Sequence, residues 1–500
     1  MRGRALAGGL KRQAGRDQAL AAIAGMVAAD APDSAAPLRQ PPAPDVFACR
    51  ERVAQVGVVA GTAGMSAQAL IDEAIACATQ GCMADAAERF EQALALEPRN
   101  AAARTRLALI QRDEGDLQSA IANFEQALID APLADADAGR INLALTLDEA
   151  GQTARALELI GQSAGLLRAS PAARWIAAHP VLRSGDYARG FALLESRWHM
   201  HDPRYRPRDY PQPRWNGETA AGKTLLLWHE LGFGDTLQFI RFARQAAARG
   251  LKIVADVQPP LRALVADMPE VTAVAADSAA LPDFDFHLPV MSLPHVLGLT
   301  LAQIDASPYI AVSARRREKW QALLPQSRAF RIGLCWRSAG AGNAFWVSQL
   351  KLKRSLPLRV LQPLAGLPGV ELVSLQIGEG SEELGSMPRG MRVTDLTPCI
   401  DDFADTAALI ERLDLVVCID TVTAHVAGAL GKPVFVVLPH VGDWRWLDNR
   451  ADSPWYPSAR LFRQQVPNDW RAPVEQAAAA ARALIATRGG RGGLRRWLRL

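Results

Sequence analysis

The sequence predicts an α plus α/β protein: a solenoid of paired helices, followed by two α/β lobes that are each built on a parallel sheet. Three observations indicate this architecture. Residues in the first half recur at a spacing of 34 positions, strands alternate with helices in the second half, and 500 residues exceed what one compact core accommodates. About half of the residues (49%) are apolar, so most of the chain is expected to fold.

Both ends of the chain are basic. Residues 1–66 are rich in Ala, Gly and Pro, which predicts a disordered segment, and residues 487–500 form a tail with five Arg and no acid. The body between these ends is weakly acidic, so no nucleic acid partner is expected. The tail could make a peripheral contact with an anionic membrane, and a solvated, disordered tail is the more common alternative.

Neither a membrane span nor a secretory signal is recognisable in the sequence. No run of 18 apolar residues is present, and the basic N-terminus lacks the apolar stretch of a signal peptide. The six cysteines form no CxxC pair and no metal-ligand spacing, which is typical of free thiols in a reducing compartment. These features predict a cytoplasmic protein.

Residues 67–200 contain a repeat of small, aromatic and proline residues. Ala86, Phe90, Ala93 and Pro98 return 34 residues later as Ala120, Phe124, Ala127 and Pro132, and a third copy, slipped by two residues, contributes Ala156. Stacked helical hairpins need small residues at the helix crossing, an aromatic plug and a terminating Pro. The pattern resembles the tetratricopeptide repeat, with three repeats and a degenerate fourth. It implies a concave face for a peptide or protein partner.

The region after the Pro-rich linker 201–215 predicts two Rossmann-like lobes. We assign the first lobe to 216–320 and the second to 321–486. Strands that alternate with helices form parallel sheets, so a cleft is expected between the lobes. The strand-like runs are TLLLW (224–228), KIVADV (252–257) and FDFHLPV (284–290), then RIGLCW (331–336), VELVSLQ (370–376), LDLVVCI (413–419) and PVFVVLP (433–439).

Two glycine-rich stretches compete as the phosphate-binding loop. GETAAGKT (217–224) matches the P-loop pattern, but it precedes the strand TLLLW and no helix follows it, so this match is a coincidence. The second stretch, HELGFGDT (229–236), joins that strand to a helix expected to begin at its last residue. Gly232, Gly234 and Asp235 therefore lie at the carboxyl edge of the sheet, where ligands bind. The alternative to a ligand-binding loop is a tight turn in which Asp235 serves only as the N-cap of the helix.

Asp420, Thr421 and His425 form a second candidate site. Asp420 and Thr421 end the strand LDLVVCI, Thr421 is suited to N-cap the helix that follows, and His425 lies one turn along the same face. A helix N-terminus flanked by a hydroxyl and an imidazole can seat a diphosphate. A satisfied core histidine is the alternative for His425.

The motif Asp-Thr-x-x-x-His, with Gly-Asp after the first strand of the preceding lobe, resembles the ADP-heptose:lipopolysaccharide heptosyltransferases over residues 215–485. The resemblance implies a two-lobed GT-B glycosyltransferase. Several stretches are similar to the subgroup in which this domain follows tetratricopeptide repeats. They are GFGDTLQF, KLKRSLPL, VSLQIG, DWRW and, shortly after it, DSPWYPSARLFRQ. Protein O-GlcNAc transferases are more distantly similar. The segment 338–349 departs from the polar loop of the subgroup.

This resemblance implies roles for individual residues. Asp235 would act as general base on an acceptor hydroxyl, and Asp420, Thr421 and His425 would bind the diphosphate and sugar of the donor.

Further donor contacts are implied for the second lobe. Lys353 or Arg354, with Lys351 behind them, would neutralise the leaving diphosphate, and Gln376 would contact the base or ribose. No metal and no cofactor beyond the nucleotide-sugar substrate is expected, because a helix dipole and basic side chains can carry the charge. Asp283-Phe284-Asp285 matches the DxD motif of metal-dependent glycosyltransferases, but it begins a strand of the acceptor lobe and is discounted.

Three functions compete. The leading hypothesis is a glycosyltransferase that uses a nucleotide sugar, with repeats that hold a protein or glycan acceptor. The second is a non-catalytic scaffold whose GT-B domain senses a nucleotide sugar. The third is a two-lobed nucleotide-sugar epimerase, which the lack of an acidic constellation disfavours.

Overall fold

The computed structural model describes residues 65–131, 136–200, 205, 207–276, 281–338 and 353–487. The chain forms two compact units, and the boundary between them follows Pro180. Most of the predicted disordered segment 1–66, the basic tail and nearly all of the segment 338–349 lie outside the described residues. No described helix is long and apolar enough to cross a membrane.

The first unit consists of antiparallel helix pairs, as the repeat predicts. Ala86, Ala120 and Ala156 are fully buried where paired helices cross, and Phe90 and Phe124 fill the space beside them. The helices are α1 (Ala67–Thr79), α2 (Met83–Leu96), α3 (Ala101–Glu114), α4 (Leu117–Asp130), α5 (Ala136–Glu149), α6 (Thr153–Gln162), α7 (Ala164–Ala169) and α8 (Pro171–Arg183), the last of which contains the boundary. The tetratricopeptide-repeat prediction is confirmed.

Gly115 and Asp116 make the turn between α3 and α4, which form one helical hairpin. Gly115 follows α3 with φ of 91°, a left-handed conformation that glycine adopts without strain. Asp116 then caps α4 by accepting a hydrogen bond from the backbone N–H of Ser119 at 3.2 Å.

The helix that ends the repeat pattern belongs to the second unit. Asp186 caps α9 (Tyr187–Leu194) through the N–H of Arg189. Gly190 packs so closely on Leu182 that an added Cβ would come within 2.6 Å of its side chain. The repeat pattern was expected to run to residue 200, whereas the compact α/β unit includes Val181–Trp198.

The second unit contains the two predicted parallel sheets. The first has the order β3-β2-β1-β4, and the second has the order β10-β9-β8-β5-β6-β7. The strands are β1 (Thr224–Trp228), β2 (Lys252–Val257), β3 (Val271–Ala276), β4 (Phe286–Pro289), β5 (Phe330–Cys335), β6 (Val370–Ser374), β7 (Val393–Thr394), β8 (Leu415–Ile419), β9 (Val434–Leu438) and β10 (Ala459–Arg463). All pairings between them are parallel.

Ten helices surround these sheets in the described part of the unit. They are α9, α10 (Phe233–Ile240), α11 (Ala243–Ala247), α12 (Arg262–Ala266), α13 (Leu293–Val296), α14 (Ala314–Leu323), α15 (Gln362–Ala365), α16 (Phe403–Glu411), α17 (Val422–Ala429) and α18 (Arg471–Thr487). The second sheet has the strand order of a Rossmann fold, and the first has the order of one half. The strand order reverses between β1 and β4 and between β5 and β8, which are the places where such sheets bind ligands.

The P-loop-like stretch lies at the wrong end of its strand to bind phosphate. Lys223 pairs with the carboxylate of Asp285 at 2.8 Å, and the same carboxylate accepts the backbone N–H of Thr224 at 2.8 Å. Both contacts are at the amino ends of β1 and β4. Asp285 of the DxD match is therefore engaged in holding two strands together.

Candidate active site between the two lobes

The helix that follows β1 in the first lobe packs against the helix that follows β8 in the second lobe, so the loops after these two strands meet. α10 contacts α17, and Gly234 makes the approach possible. A Cβ at Gly234 would come within 3.0 Å of His425 Cδ2, a distance that forces the ring to shift. Asp235 and His425, which the sequence assigns to different lobes, thus lie in one site.

Asp235 lies inside the first turn of α10. The helix begins at Phe233 and not at Thr236 as expected, so Asp235 is its third residue and not its N-cap. One carboxylate oxygen accepts the backbone N–H of Gly232 at 3.0 Å. The other oxygen lies 2.5 Å from Nη2 of Arg445.

The loop that delivers Asp235 has a strained backbone. Leu231 has φ of 52°, in the left-handed region that non-glycine residues rarely occupy. Gln258 supports it, because its Nε2 donates to the carbonyl of Leu231 at 3.2 Å and its Oε1 accepts the hydroxyl of Thr236 at 2.9 Å. Strained conformations of this kind are retained where surrounding contacts enforce them, often at functional sites.

Asp420 and Thr421 lie between β8 and α17, as predicted. Thr421 occupies the N-cap position of α17 in an extended conformation, as expected. Its hydroxyl makes no capping hydrogen bond to the helix backbone. Asp420 is buried, which raises its pKa, while Arg354 opposes this shift from 3.5 Å away. Lys353 is exposed beside Arg354. Lys351 lies outside the described residues.

His425 is buried one turn into α17. Its Nδ1 lies 2.8 Å from the hydroxyl of Tyr456, and its ring stacks on Trp446 with centroids 5.8 Å apart. Burial and the nearby guanidinium groups of Arg445 and Arg241 lower the pKa of His425 to about 3. The imidazole is therefore neutral at physiological pH.

Arg445 is the central residue that the sequence patterns did not identify. It extends from the loop after β9 and donates three hydrogen bonds to side chains, to Gln238 Oε1 at 2.6 Å, Asp443 Oδ1 at 2.9 Å and Asp235 Oδ1 at 2.5 Å. Burial favours a neutral Asp443, but Arg445 outweighs this and holds the pKa of that carboxyl below its usual range. Gln238 and Asp235 belong to the first lobe, so Arg445 joins the two lobes.

The sequence contained a signal for this residue. DWRW follows the strand PVFVVLP, and the loops at the carboxyl ends of parallel strands form the binding edge. By itself the segment contributed only to a family resemblance. In the structure Asp443 also accepts the backbone N–H of Arg445 at 3.0 Å, which forms a short turn that aims the guanidinium at α10.

The side-chain amide of Gln376 is bound to backbone groups of two loops. It is 1% exposed, and its Oε1 accepts the backbone N–H groups of Trp336 at 3.0 Å and Arg337 at 2.8 Å. Its Nε2 donates to the carbonyl of Glu379 at 2.8 Å. The amide therefore joins the loops after β5 and β6, and the expected contact with the donor base or ribose stays a prediction.

Metal ligands do not cluster in the described residues. No group of three or more His, Cys, Asp or Glu side chains among them is arranged to hold a metal ion. The five cysteines in the described part of the chain are free thiols.

The α/β unit consists of two Rossmann-like lobes that meet at a polar cleft through α10 and α17, which is the GT-B fold. Tetratricopeptide repeats precede it in the chain. Residues 370–438, which run from β6 to β9, match the family profile of glycosyltransferase family 9 (heptosyltransferase). The prediction of a glycosyltransferase of the heptosyltransferase-like, GT-B kind is thereby confirmed.

Individual proteins show similarity over larger parts of the chain. Protein FlbA of Caulobacter vibrioides is 26% identical over 433 residues, which cover 81% of this chain and 70% of that protein. The ADP-heptose lps heptosyltransferase II of E. coli is 14% identical with a TM-score of 0.37, covering 51% of this chain and 98% of its own. An O-GlcNAc transferase of Thermobaculum terrenum is 14% identical with a TM-score of 0.31, covering 88% and 94%.

Proposed function

We propose that this glycosyltransferase transfers a sugar from a nucleotide-sugar donor to a hydroxyl of a protein or glycan, without a metal ion. The observation that carries the proposal is the convergence of Asp235, Arg445 and His425 between the lobes. The first lobe supplies a fixed carboxylate, which can accept the proton of the acceptor hydroxyl. The second lobe supplies a helix N-terminus and a neutral imidazole, which can bind the donor.

The donor half is formed by the second lobe. The N-terminus of α17 presents backbone N–H groups next to Thr421, and a helix N-terminus attracts phosphate. Arg354 and the exposed Lys353 supply positive charge beside it. These charges would stabilise the diphosphate as it leaves, which is the task that a metal ion has in other glycosyltransferases.

The acceptor half centres on Asp235. Its carboxylate would accept the proton of the acceptor hydroxyl while that oxygen attacks the anomeric carbon and the bond from this carbon to the diphosphate breaks. Both oxygens of Asp235 have fixed partners, Gly232 and Arg445, so the side chain has a defined position before a substrate enters.

The acceptor is proposed to bind through the repeats, because stacked helical hairpins offer a surface for a peptide or protein partner. We place the reaction in the cytoplasm, where nucleotide sugars are accessible, and we allow for peripheral membrane contact through the tail. The alternative is a scaffold that binds a nucleotide sugar without turnover. The occupied carboxylate of Asp235 is the observation that favours it.

A donor screen separates these functions. Purified protein is incubated with a panel of nucleotide sugars, and thermal stabilisation and release of nucleoside diphosphate are both measured. Asp235→Asn should bind the stabilising donor and lose turnover. Asp285→Asn is the matched control, because that aspartate also forms an ion pair in the first lobe but lies at the opposite edge of the sheet. Binding without turnover in the wild-type protein would support the scaffold, and no binding at all would overturn both.

A further inference from the structure

His425 contacts Tyr456 inside the second lobe, and this contact decides which imidazole nitrogen carries the proton. Nδ1 of His425 lies 2.8 Å from the hydroxyl of Tyr456, and both side chains are buried. A neutral imidazole has one N–H and one acceptor nitrogen, so the bond has two possible directions. Either the tyrosine donates and Nε2 carries the proton, or Nδ1 donates and Nε2 is bare.

Arg241 favours the first direction. Its guanidinium lies 4.6 Å above the ring of Tyr456. The positive charge makes the oxygen a poorer acceptor and its proton a better donor. Burial meanwhile raises the pKa of Tyr456 well above its ordinary value, so the proton stays on the phenol.

The other neighbour of this hydroxyl is a weaker acceptor than His425. Tyr309 donates its own proton to the carbonyl of Leu237 at 2.9 Å and accepts from Nη2 of Arg241 at 3.3 Å. Its oxygen therefore faces the same cation as that of Tyr456. A neutral imidazole nitrogen is a stronger base than a phenol oxygen in such a position, so the proton of Tyr456 goes to Nδ1.

The opposite edge of the imidazole faces the other lobe. A Cβ built on Gly234 would approach Cδ2 of His425 to 3.0 Å and Nε2 to 3.4 Å. Nε2 is thus directed toward the first turn of α10, which contains Asp235.

We infer that Tyr456, oriented by Arg241, donates its hydroxyl proton to His425 and so fixes the Nε2–H tautomer, which makes His425 a neutral hydrogen-bond donor for an oxygen of the nucleotide-sugar donor. The ligand in this inference rests on the proposed function, whereas the tautomer does not. Tyr456 is a positioning residue, because it acts through His425. Arg241 comes from the first lobe and also donates to the carbonyl of Trp455, the residue before Tyr456, at 2.8 Å, so it holds the backbone next to the tyrosine as well as lying over its ring.

The tautomer is measured by nitrogen NMR of protein labelled with 15N-histidine, without any ligand. The His425 resonances are assigned by their loss in His425→Gln. The expected spectrum has the directly bonded proton on Nε2 between pH 6 and 8, and Tyr456→Phe should abolish this preference. Tyr187→Phe is the control, since it deletes a buried hydroxyl that contacts Trp455 at 2.9 Å and leaves Tyr456 in place. A proton on Nδ1 in the wild-type protein would overturn the inference.

The ligand is tested with ADP, UDP, GDP and CDP by calorimetry. Loss of one well-made hydrogen bond predicts about tenfold weaker binding of the preferred nucleotide to His425→Leu, and Tyr456→Phe, which frees the tautomer but keeps the imidazole, should weaken binding by a smaller factor. His425→Gln, which keeps an N–H near the position of Nε2, should bind better than His425→Leu. Equal binding by the wild-type protein and both Tyr456→Phe and His425→Leu would overturn the role of Nε2–H. If none of the four binds the wild-type protein, the proposed function and the ligand half of the inference fail together, and the spectrum alone decides the tautomer.

Discussion

Asp235 and Arg445 meet between the two lobes, with Oδ1 of the carboxylate 2.5 Å from Nη2 of the guanidinium. The two residues are 210 positions apart in the chain. A second carboxylate, Asp443, holds the same guanidinium from its own loop at 2.9 Å. Arg445 therefore neutralises two acidic groups at once and fixes the carboxylate to which we assign the proton transfer.

Replacing Arg445 should damage catalysis more than donor binding. Arg445→Met removes the guanidinium that pairs with Asp235 and with the partly buried Asp443, so we expect kcat to fall by about 100-fold. We also expect the free energy of unfolding to fall by about 3 kcal/mol, because the remaining charge is uncompensated. Turnover of the donor found by the screen and urea unfolding measure the two effects.

Two variants calibrate this experiment. Arg445→Lys keeps the charge but lacks the planar fork that reaches Gln238, Asp443 and Asp235 together, so it should recover only part of the rate. Arg471→Met removes an exposed arginine that pairs with Glu475, and it should change neither quantity measurably. Wild-type turnover in Arg445→Met would show that the ion pair is incidental.

Gly234 sets the distance between the lobes at the site. A Cβ at this position comes within 3.0 Å of His425, so Gly234→Ala should displace the imidazole and raise the KM for the donor several-fold. Steady-state kinetics test this, with kcat expected to change less than KM.

A glycine elsewhere in the chain separates this steric effect from helix propensity. Gly161 lies in α6, where an added Cβ would meet nothing within 4 Å, so Gly161→Ala should stabilise the protein by about 0.5–1 kcal/mol and leave the kinetics unchanged. If Gly234→Ala behaves in the same way, the approach of the two lobes is looser than the structure indicates.

A buried ion network holds the loop between β1 and α10 from the side opposite Asp235. Arg197 is fully buried and binds both oxygens of Glu230 at 2.9 and 3.1 Å, the Ser292 hydroxyl at 2.7 Å and Glu195 at 2.7 Å. Glu230 lies five residues before Asp235 in the loop after β1. Arg197→Met should therefore cost about 3–5 kcal/mol of unfolding free energy, measured by urea denaturation, since the buried carboxylate of Glu230 loses its cation.

The matched control for this network is an exposed bidentate pair. Arg317 binds both oxygens of Glu411 at 2.8 and 3.0 Å but is half exposed, so Arg317→Met should cost less than about 1 kcal/mol. Similar losses in the two variants would mean that the network around Arg197 is hydrated in solution.

Local patterns in the sequence were sufficient for the repeats, the central strands and the two halves of the site. Ala86 and Phe90 recur at a fixed spacing because each repeat buries the same positions, and the carboxyl ends of β1 and β8 must lie at binding edges in parallel sheets. Asp235 and His425 could therefore be assigned to one cleft from the sequence alone.

The remaining features depend on contacts between distant parts of the chain. Arg445 shows its role only when Asp235 lies beside it, and Gln376 satisfies backbone groups of another loop, which no local pattern reveals. The missed strands β3, β7 and β10 lie at sheet edges or beside them, and their Ala-rich, very short or Arg-containing sequences lack the continuous apolar pattern of buried strands.

The neutral state of His425 predicts how stability depends on pH. Its pKa is lowered from 6.5 to about 3 in the folded protein, so between these values the unfolded state binds a proton that the folded state does not. The free energy of unfolding should therefore fall as the pH decreases below 6.5, by up to about 1.4 kcal/mol per pH unit from this residue. Above pH 7 this contribution is constant.

The variant His425→Gln tests this pH dependence. The slope of the unfolding free energy against pH, between pH 7 and 5, should decrease in this variant by the equivalent of about one bound proton, measured by urea unfolding at each pH. His295→Gln, at an exposed histidine of α13, should leave the slope unchanged. An unchanged slope in His425→Gln would mean that the imidazole titrates in the folded protein, which contradicts both its burial and the tautomer assigned to it.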